Sequence, residues 1–245
     1  MINCLIFHKI TKKQEQDWTD FKFSKFLSIL DYLQDNYIET TTLSNFNNIK
    51  NMKICLTFDD GFGSDYKYVL PELLKRKMVG VFFIVPNLVG QRGYLNWEQI
   101  KKLKISGMEI GSHGMTHHLN FNTLSKERLI YELQKSKEII ESNICSNIVS
   151  FSYPGGNYSE KITTMALNIG YKYICTSKPG LSNITDFMIC RNSVYKYLNK
   201  ENIKLLIKSS KTKLIELQMR YYLKEKIKNV LGFKYYNILK NKIIN

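Results

Sequence analysis

The chain has 245 residues, 44% of them hydrophobic, and carries 36 basic against 21 acidic side chains, a formal charge of +15. That apolar content can bury one sizeable core, so one domain with a tail is the expected organisation. No apolar run approaches the ~20 residues of a membrane-spanning helix, and five cysteines, an odd number without a CxxC pair, exclude a disulfide framework or a zinc knuckle. The charge is uneven. Residues 200–245 hold 12 Lys/Arg against 3 Asp/Glu, a net +9. Such a tail suits an anionic partner, a membrane surface or nucleic acid, or else forms a lysine-rich solvated face. The N-terminus lacks the basic start and length of a signal peptide. With reduced cysteines, these features point to a cytoplasmic protein that can touch a membrane from one side.

In chain order, residues 2–7 form an apolar strand ending at His8, and residues 9–20 read as a polar loop. Phe23, Phe26, Leu27, Leu30 and Leu33 recur at helical spacing over 21–35, before an Asn-rich stretch at 44–51. The run Ile54 to Phe58 reads as a buried strand that stops at Asp59-Asp60-Gly61. Residues 65–77 form an amphipathic helix with Pro71 in its first turn. Residues 79–85 are a second buried strand. Asn96 caps a helix that Gly107 closes. Met108 to Ser112 is a strand leading to His113, and Ser125 caps a helix over 126–142. A strand over 148–153 stops at Pro154-Gly155-Gly156, and a helix covers 159–168. Two strands follow, at 171–176 and 187–194, and then a basic helical segment over 200–231. Alternating strands and helices specify a parallel sheet with crossover helices. The repetition suggests a β/α barrel, although spacing alone does not separate it from an open doubly wound sheet.

Two adjacent carboxylates repel, so either one is protonated or a cation neutralises the pair. The chain supplies ligands for a cation. Three of its four histidines, His113, His117 and His118, lie within six residues. His113 and His117 form an HxxxH pair, which on one helical turn would present both imidazoles to one metal. An Asp with two His makes a mixed nitrogen and oxygen set suited to zinc and related divalent metals. The direction of His118 differs, and the spacing gives Asp65 and Tyr66 no role.

With these residues in place, the sequence resembles the polysaccharide deacetylases, the NodB-homology or carbohydrate esterase family 4 enzymes, over about residues 2–198. Thr57-Phe58-Asp59-Asp60-Gly61 matches the first family motif. His113 to His117 matches the second, with Gly114 in place of Ser or Thr. Ser150 to Gly156 loosely matches the third. The resemblance implies an irregular α/β barrel of the NodB type over 1–198, with a basic helical extension over 199–245. It implies one divalent metal on Asp60, His113 and His117, with Zn²⁺ first and Co²⁺, Ni²⁺ or Mn²⁺ as alternatives. Asp59 would be the general base, and a backbone N–H at Gly155 would hold the oxyanion. Tyr153 and Pro154 would line the substrate. The implied activity is removal of acetyl groups from N-acetylated sugars of a polysaccharide, an oligosaccharide or a lipid-linked precursor.

The sequence departs from the family in three places. The third motif lacks its arginine, for which Arg191 at the end of a late strand is a candidate, orienting Asp59. Gly155 stands where an aromatic is usual. No C-terminal LxH supplies the acid. Some members, including those that de-N-acetylate poly-N-acetylglucosamine, resemble this chain in an N-terminal aromatic-His pair, which makes His8 the candidate acid. The competing reading is a catalytically weak or inactive glycan-binding protein on the same fold. A nucleic-acid-binding protein rests on charge alone and is not expected. The tail reads as a helix packed on the barrel with lysines outward, or as a contact with an anionic membrane face.

Overall fold

The computed structural model of the chain describes residues 1–45, 52–156, 158–183 and 185–244. Most of the Asn-rich stretch lies outside them. The elements run in the order β1 (Ile2–Phe7), β2 (Lys9–Thr11), β3 (Asp20–Lys22), α1 (Phe23–Asp35), β4 (Lys53–Phe58), α2 (Leu70–Lys75), β5 (Gly80–Ile84), α3 (Trp97–Ile105) and β6 (Glu109–Ser112). There follow α4 (Lys126–Ile130), α5 (Ser136–Ile144), β7 (Ser150–Ser152), α6 (Glu160–Asn168), β8 (Tyr173–Cys175), β9 (Met188–Ile189), β10 (Arg191–Ser193), α7 (Lys200–Ile207) and α8 (Lys211–Ile244). Eight strands form one parallel sheet in the order β10-β1-β4-β5-β6-β7-β8-β9. Its two edges, β9 and β10, are separated in the chain only by Cys190. One short segment therefore pairs with β8 and then with β1, and the sheet is nearly closed into a barrel.

The strands read as unbroken apolar runs because both of their faces are buried. Cys4, Cys55, Val81, Phe83, Cys175 and Ile189 fill the barrel interior, while Leu5, Phe7, Leu56, Phe58 and Phe82 pack outward against the helices. Cysteine acts here as a small apolar side chain in a narrow bore. Gly111 marks the tightest point, since a Cβ there would lie 2.6 Å from Ser150 Oγ and 2.7 Å from the Phe83 ring. The inward parity of β4 runs Cys55, Thr57, Asp59, so the strand period itself aims Asp59 into the barrel mouth. In register, Arg191 of β10 pairs with Cys4 of β1 and so also faces inward.

One local expectation is corrected. Residues 9–20 are not all loop, because β2 and β3 pair in parallel and Lys9 Nζ sits 2.7 Å from Asp20 Oδ1. Three-residue strands are too short to leave a period-two signal. The basic segment after residue 199 is two helices, broken where Ser209 takes a positive φ of 55°. The body also extends past residue 198: Ile203, Leu206 and Ile207 of α7 are buried, and Asn3 Nδ2 donates to the Leu206 carbonyl at 2.8 Å.

Candidate metal and catalytic site

The acid pair leaves β4 at the C-terminal rim of the barrel, where parallel α/β folds gather function. The Asp59 amide donates to the Phe7 carbonyl at 3.0 Å, which ties the pair to the end of β1 beside His8. Asp60 has a positive φ of 75°, a conformation costly for a residue with a Cβ. The turn separates the two side chains.

Asp59 is buried and fully engaged. Arg191 Nη1 donates to its Oδ1 at 2.8 Å and Nη2 to its Oδ2 at 2.9 Å. The guanidinium is itself completely buried and held on its remaining edges. Its Nη2 donates to Ser152 Oγ at 2.7 Å, its Nε to the Thr176 carbonyl at 3.0 Å and its Nη1 to Thr57 Oγ1 at 3.2 Å. Burial pushes the Asp59 pKa up, but Arg191, then His113 and His8, outweigh it and hold the carboxyl below its ordinary range.

Asp60 Oδ1 lies 3.1 Å from His117 Nε2 and 3.4 Å from His113 Nε2. Yet among the described residues this buried oxygen has no hydrogen-bond partner. The three atoms lie within 4.8 Å of one another. His113 Nδ1 is 2.8 Å from the Ser152 carbonyl and donates to it, which leaves the Nε2 lone pair free toward Asp60. Burial lowers the His113 pKa to about 4, so the ring is neutral at pH 7. Burial also works against protonation of His117, but Asp60 overrides it and raises that pKa. One carboxylate and two imidazoles, with an orphaned oxygen between the rings, fit a divalent cation.

The HxxxH segment is not helical. Gly114 (φ 76°) and His117 (φ 59°) both take left-handed backbone, so 113–117 loops back and turns the two rings toward one point. A Cβ at Gly114 would sit 3.1 Å from the Phe121 ring and 3.3 Å from Glu132 Oε2. Glu132, completely buried in the π-helical turn between α4 and α5, fixes the loop. Its Oε2 accepts from the Met115 and Thr116 amides, both at 2.9 Å, and its Oε1 accepts from Thr116 Oγ1 at 2.6 Å. The helical template for this motif is corrected: the loop's amides are spent on a carboxylate, not on an α-helical ladder.

His8 sits half-buried at the rim, its ring 5.2 Å from that of Trp18 in an edge contact. It lies within electrostatic reach of both carboxyls of the acid pair. Gly155 is exposed, with a positive φ of 66°. Pro154 is buried, 3.5 Å from where a Gly114 Cβ would stand. Tyr153 as a substrate wall is corrected. Its side chain turns into the core, packs on Phe151 and Phe121, and places its hydroxyl 3.0 Å from Thr163 Oγ1. At 1% exposure it offers no face to a sugar.

Sequence reasoning missed several neighbours. Phe62 and Tyr94 stack at 5.1 Å, and Tyr94 feels the charge of Asp60. Asp65 is completely buried, and burial and then Asp60 push its pKa well above the ordinary range. Its spacing carried no signal, because the π-helical turn at Asp65–Val69 brings it back under the acid pair.

The model of the polysaccharide deacetylase family matches residues 46–174, more than half of the chain. The chain belongs to the polysaccharide deacetylase family. Two curated relatives are similar to this deacetylase-family chain, both from Bacillus subtilis (strain 168). YxkH is 30% identical over 130 residues, 53% of this chain and 46% of its own length. Peptidoglycan-N-acetylmuramic acid deacetylase PdaA is 28% identical over 129 residues, 52% and 47%. The chain therefore spans about half the length of the curated relatives it matches. Among solved structures, the Streptococcus pyogenes deacetylase PplD, in complex with acetate, has the same fold with a TM-score of 0.76 at 20% identity, covering 84% of this chain and 97% of its own. A de-N-acetylase from Aggregatibacter actinomycetemcomitans gives 0.74 at 18% identity, covering 84% and 99%.

Proposed function

We propose that this chain removes acetyl groups from N-acetylated sugars of a glycan or its precursor, using one divalent metal held by Asp60, His113 and His117, with zinc the first candidate. The observation that carries the reading is the orphaned Asp60 Oδ1 facing two imidazole nitrogens, beside an Asp59 locked on Arg191. N-acetyl in preference to O-acetyl is supported by PdaA, whose name places its acetyl group on N-acetylmuramic acid.

A cation in this site would acidify a water and polarise the acyl oxygen, the chemistry a neutral-pH hydrolase needs. Asp59, kept ionised by Arg191, takes the proton of the attacking water. His8, at the rim after β1, returns a proton to the departing amine. The Gly155 amide, on the exposed turn after β7, is the candidate donor to the acyl oxygen. Arg191, which reaches the base from β10, supports a working site over an inactive glycan-binding domain.

The test combines metal analysis with acetate release from chitin oligomers, peptidoglycan, acetylated xylan and nucleotide- or lipid-linked N-acetylhexosamines. About one divalent ion per chain is expected, lost in His113→Ala, with acetate released from at least one N-acetylated substrate. A wild type that binds no metal and releases no acetate would overturn the reading.

The Glu132 carboxylate gives a second expectation. Glu132→Ala strands the Met115 and Thr116 amides, so stability should fall by about 1–3 kcal/mol and metal affinity by about 10–100-fold. Thermal melts and metal titration measure the two. Unchanged affinity would show that His117 is placed without this carboxylate.

A further inference from the structure

α8 has apolar side chains on two opposite sides. One side packs on the barrel. The helix starts at the base, where Asn3 Nδ2 donates to the Leu206 carbonyl at 2.8 Å and to Ser209 Oγ at 3.1 Å. It then climbs the outside of the barrel. Leu217 is buried, and Gln218 Nε2 donates to the Pro179 carbonyl at 3.2 Å. The Lys224 ammonium lies 5.3 Å from the Tyr195 ring centroid, two residues past the end of β10. From Lys211 to Lys224 the helix rises about 20 Å, so it reaches the rim of the mouth near Lys224. It continues to Ile244, about 30 Å farther.

The other side faces away from the barrel and carries a run of large apolar side chains interrupted by Glu216 and Lys226. Ile215, Met219, Tyr222, Leu223, Ile227 and Val230 are exposed by 38–82%. At helical spacing they fall within an arc of roughly 140°, opposite Leu217, with Thr212, Glu216 and Lys226 inside the same arc and Glu216 paired with Lys213 and Arg220. A helix that is apolar on both sides normally has a partner on each. Charge decides which partner. Residues 200–245 carry a net +9, and Glu216 and Glu225 are the only acids from 211 to 231. A second copy would bring the same +9 against this one. A polyanion without an apolar phase would leave the stripe of Ile, Met, Leu and Val unused.

We infer that α8 lies on the surface of an anionic lipid bilayer, its outer stripe among the acyl chains and its lysines at the negative headgroups. The helix passes the rim, so this docking holds the barrel mouth close to the headgroups. On the deacetylase reading, that favours glycans built or displayed at a membrane surface. Lipid binding itself does not depend on that reading.

The test is co-sedimentation of the purified chain with vesicles of phosphatidylcholine alone, or with added phosphatidylglycerol, at low and high salt. Binding to phosphatidylglycerol vesicles is expected, weakened by salt, and reduced roughly tenfold or more in the double variant Leu223→Asp with Ile227→Asp. Both residues face away from the barrel, and circular dichroism with metal content checks that the variant is folded. A wild type that stays in solution with both vesicles overturns the proposal, as does a double variant that sediments equally. A dimer seen by light scattering, abolished by the double variant and without vesicle binding, assigns the stripe to a second copy and also overturns it. The assay reads no acetate, so its failure is separate from any failure of the hydrolase reading.

Discussion

Arg191→Met should cost about 3–5 kcal/mol of stability, because it leaves Asp59 buried without its cation. The effect should also depend on pH in a fixed direction. In the native protein the Asp59 pKa lies below its unfolded value of 3.8, so its ionisation stabilises the fold above about pH 4 and that contribution is lost as pH falls through the folded pKa. Without Arg191, burial is the largest influence left, and the folded pKa moves above 3.8. The variant then loses stability as pH rises through that raised value. The gap in Tm between the two proteins should widen from about pH 4 to pH 7. Arg191→Lys keeps the charge but not the two-pronged contact, and should keep metal while turnover falls. A gap that stays constant with pH would show that Asp59 is not the group Arg191 serves.

His8→Ala should lower kcat by about 10²–10⁴-fold while metal content stays at the wild-type level. In a pH–rate profile, the limb that reports a group needing its proton should disappear with it. His8→Gln, which keeps a polar side chain against Trp18, should be equally slow. The edge contact between the His8 and Trp18 rings makes a purely structural role the alternative. Trp18→Phe separates the two, since it preserves the packing and should leave turnover largely intact. Turnover near the wild-type rate in His8→Ala would place the acid elsewhere.

The residues that announced themselves in the sequence did so through composition at strand ends. Asp59-Asp60-Gly61 follows an apolar run, and a histidine cluster follows another, and no packing detail is needed to see either. The alternation of elements likewise gave the parallel β/α fold. Closure of the sheet was a different matter, because it depends on a segment of six residues split by Cys190 between two edges. Glu132 was illegible for a related reason. A carboxylate in an amphipathic helix looks like a solvated one until the π-helical turn rotates it inward onto the Met115 and Thr116 amides. The loop form of 113–117 was hidden as well, since a positive φ at His117 is imposed by its surroundings and not by histidine. Tyr153 shows the converse error: a motif position suggested a substrate face, and two aromatic neighbours, Phe121 and Phe151, claimed the ring for the core.

The seam between β9 and β10 bears on how the protein is made. Asp59 and the guanidinium that neutralises it are 132 residues apart in sequence. At ribosomal speeds of roughly 5–20 residues per second, the acid pair leaves the tunnel on the order of ten seconds before its cation. Over that interval the nascent chain can stack β1, β4, β5 and β6 but cannot bury Asp59 at low cost. The step that seals the barrel is thus the same step that completes the Asp59–Arg191 pair. Partly synthesised chains would be held open by an unpaired carboxylate until the last strand arrives.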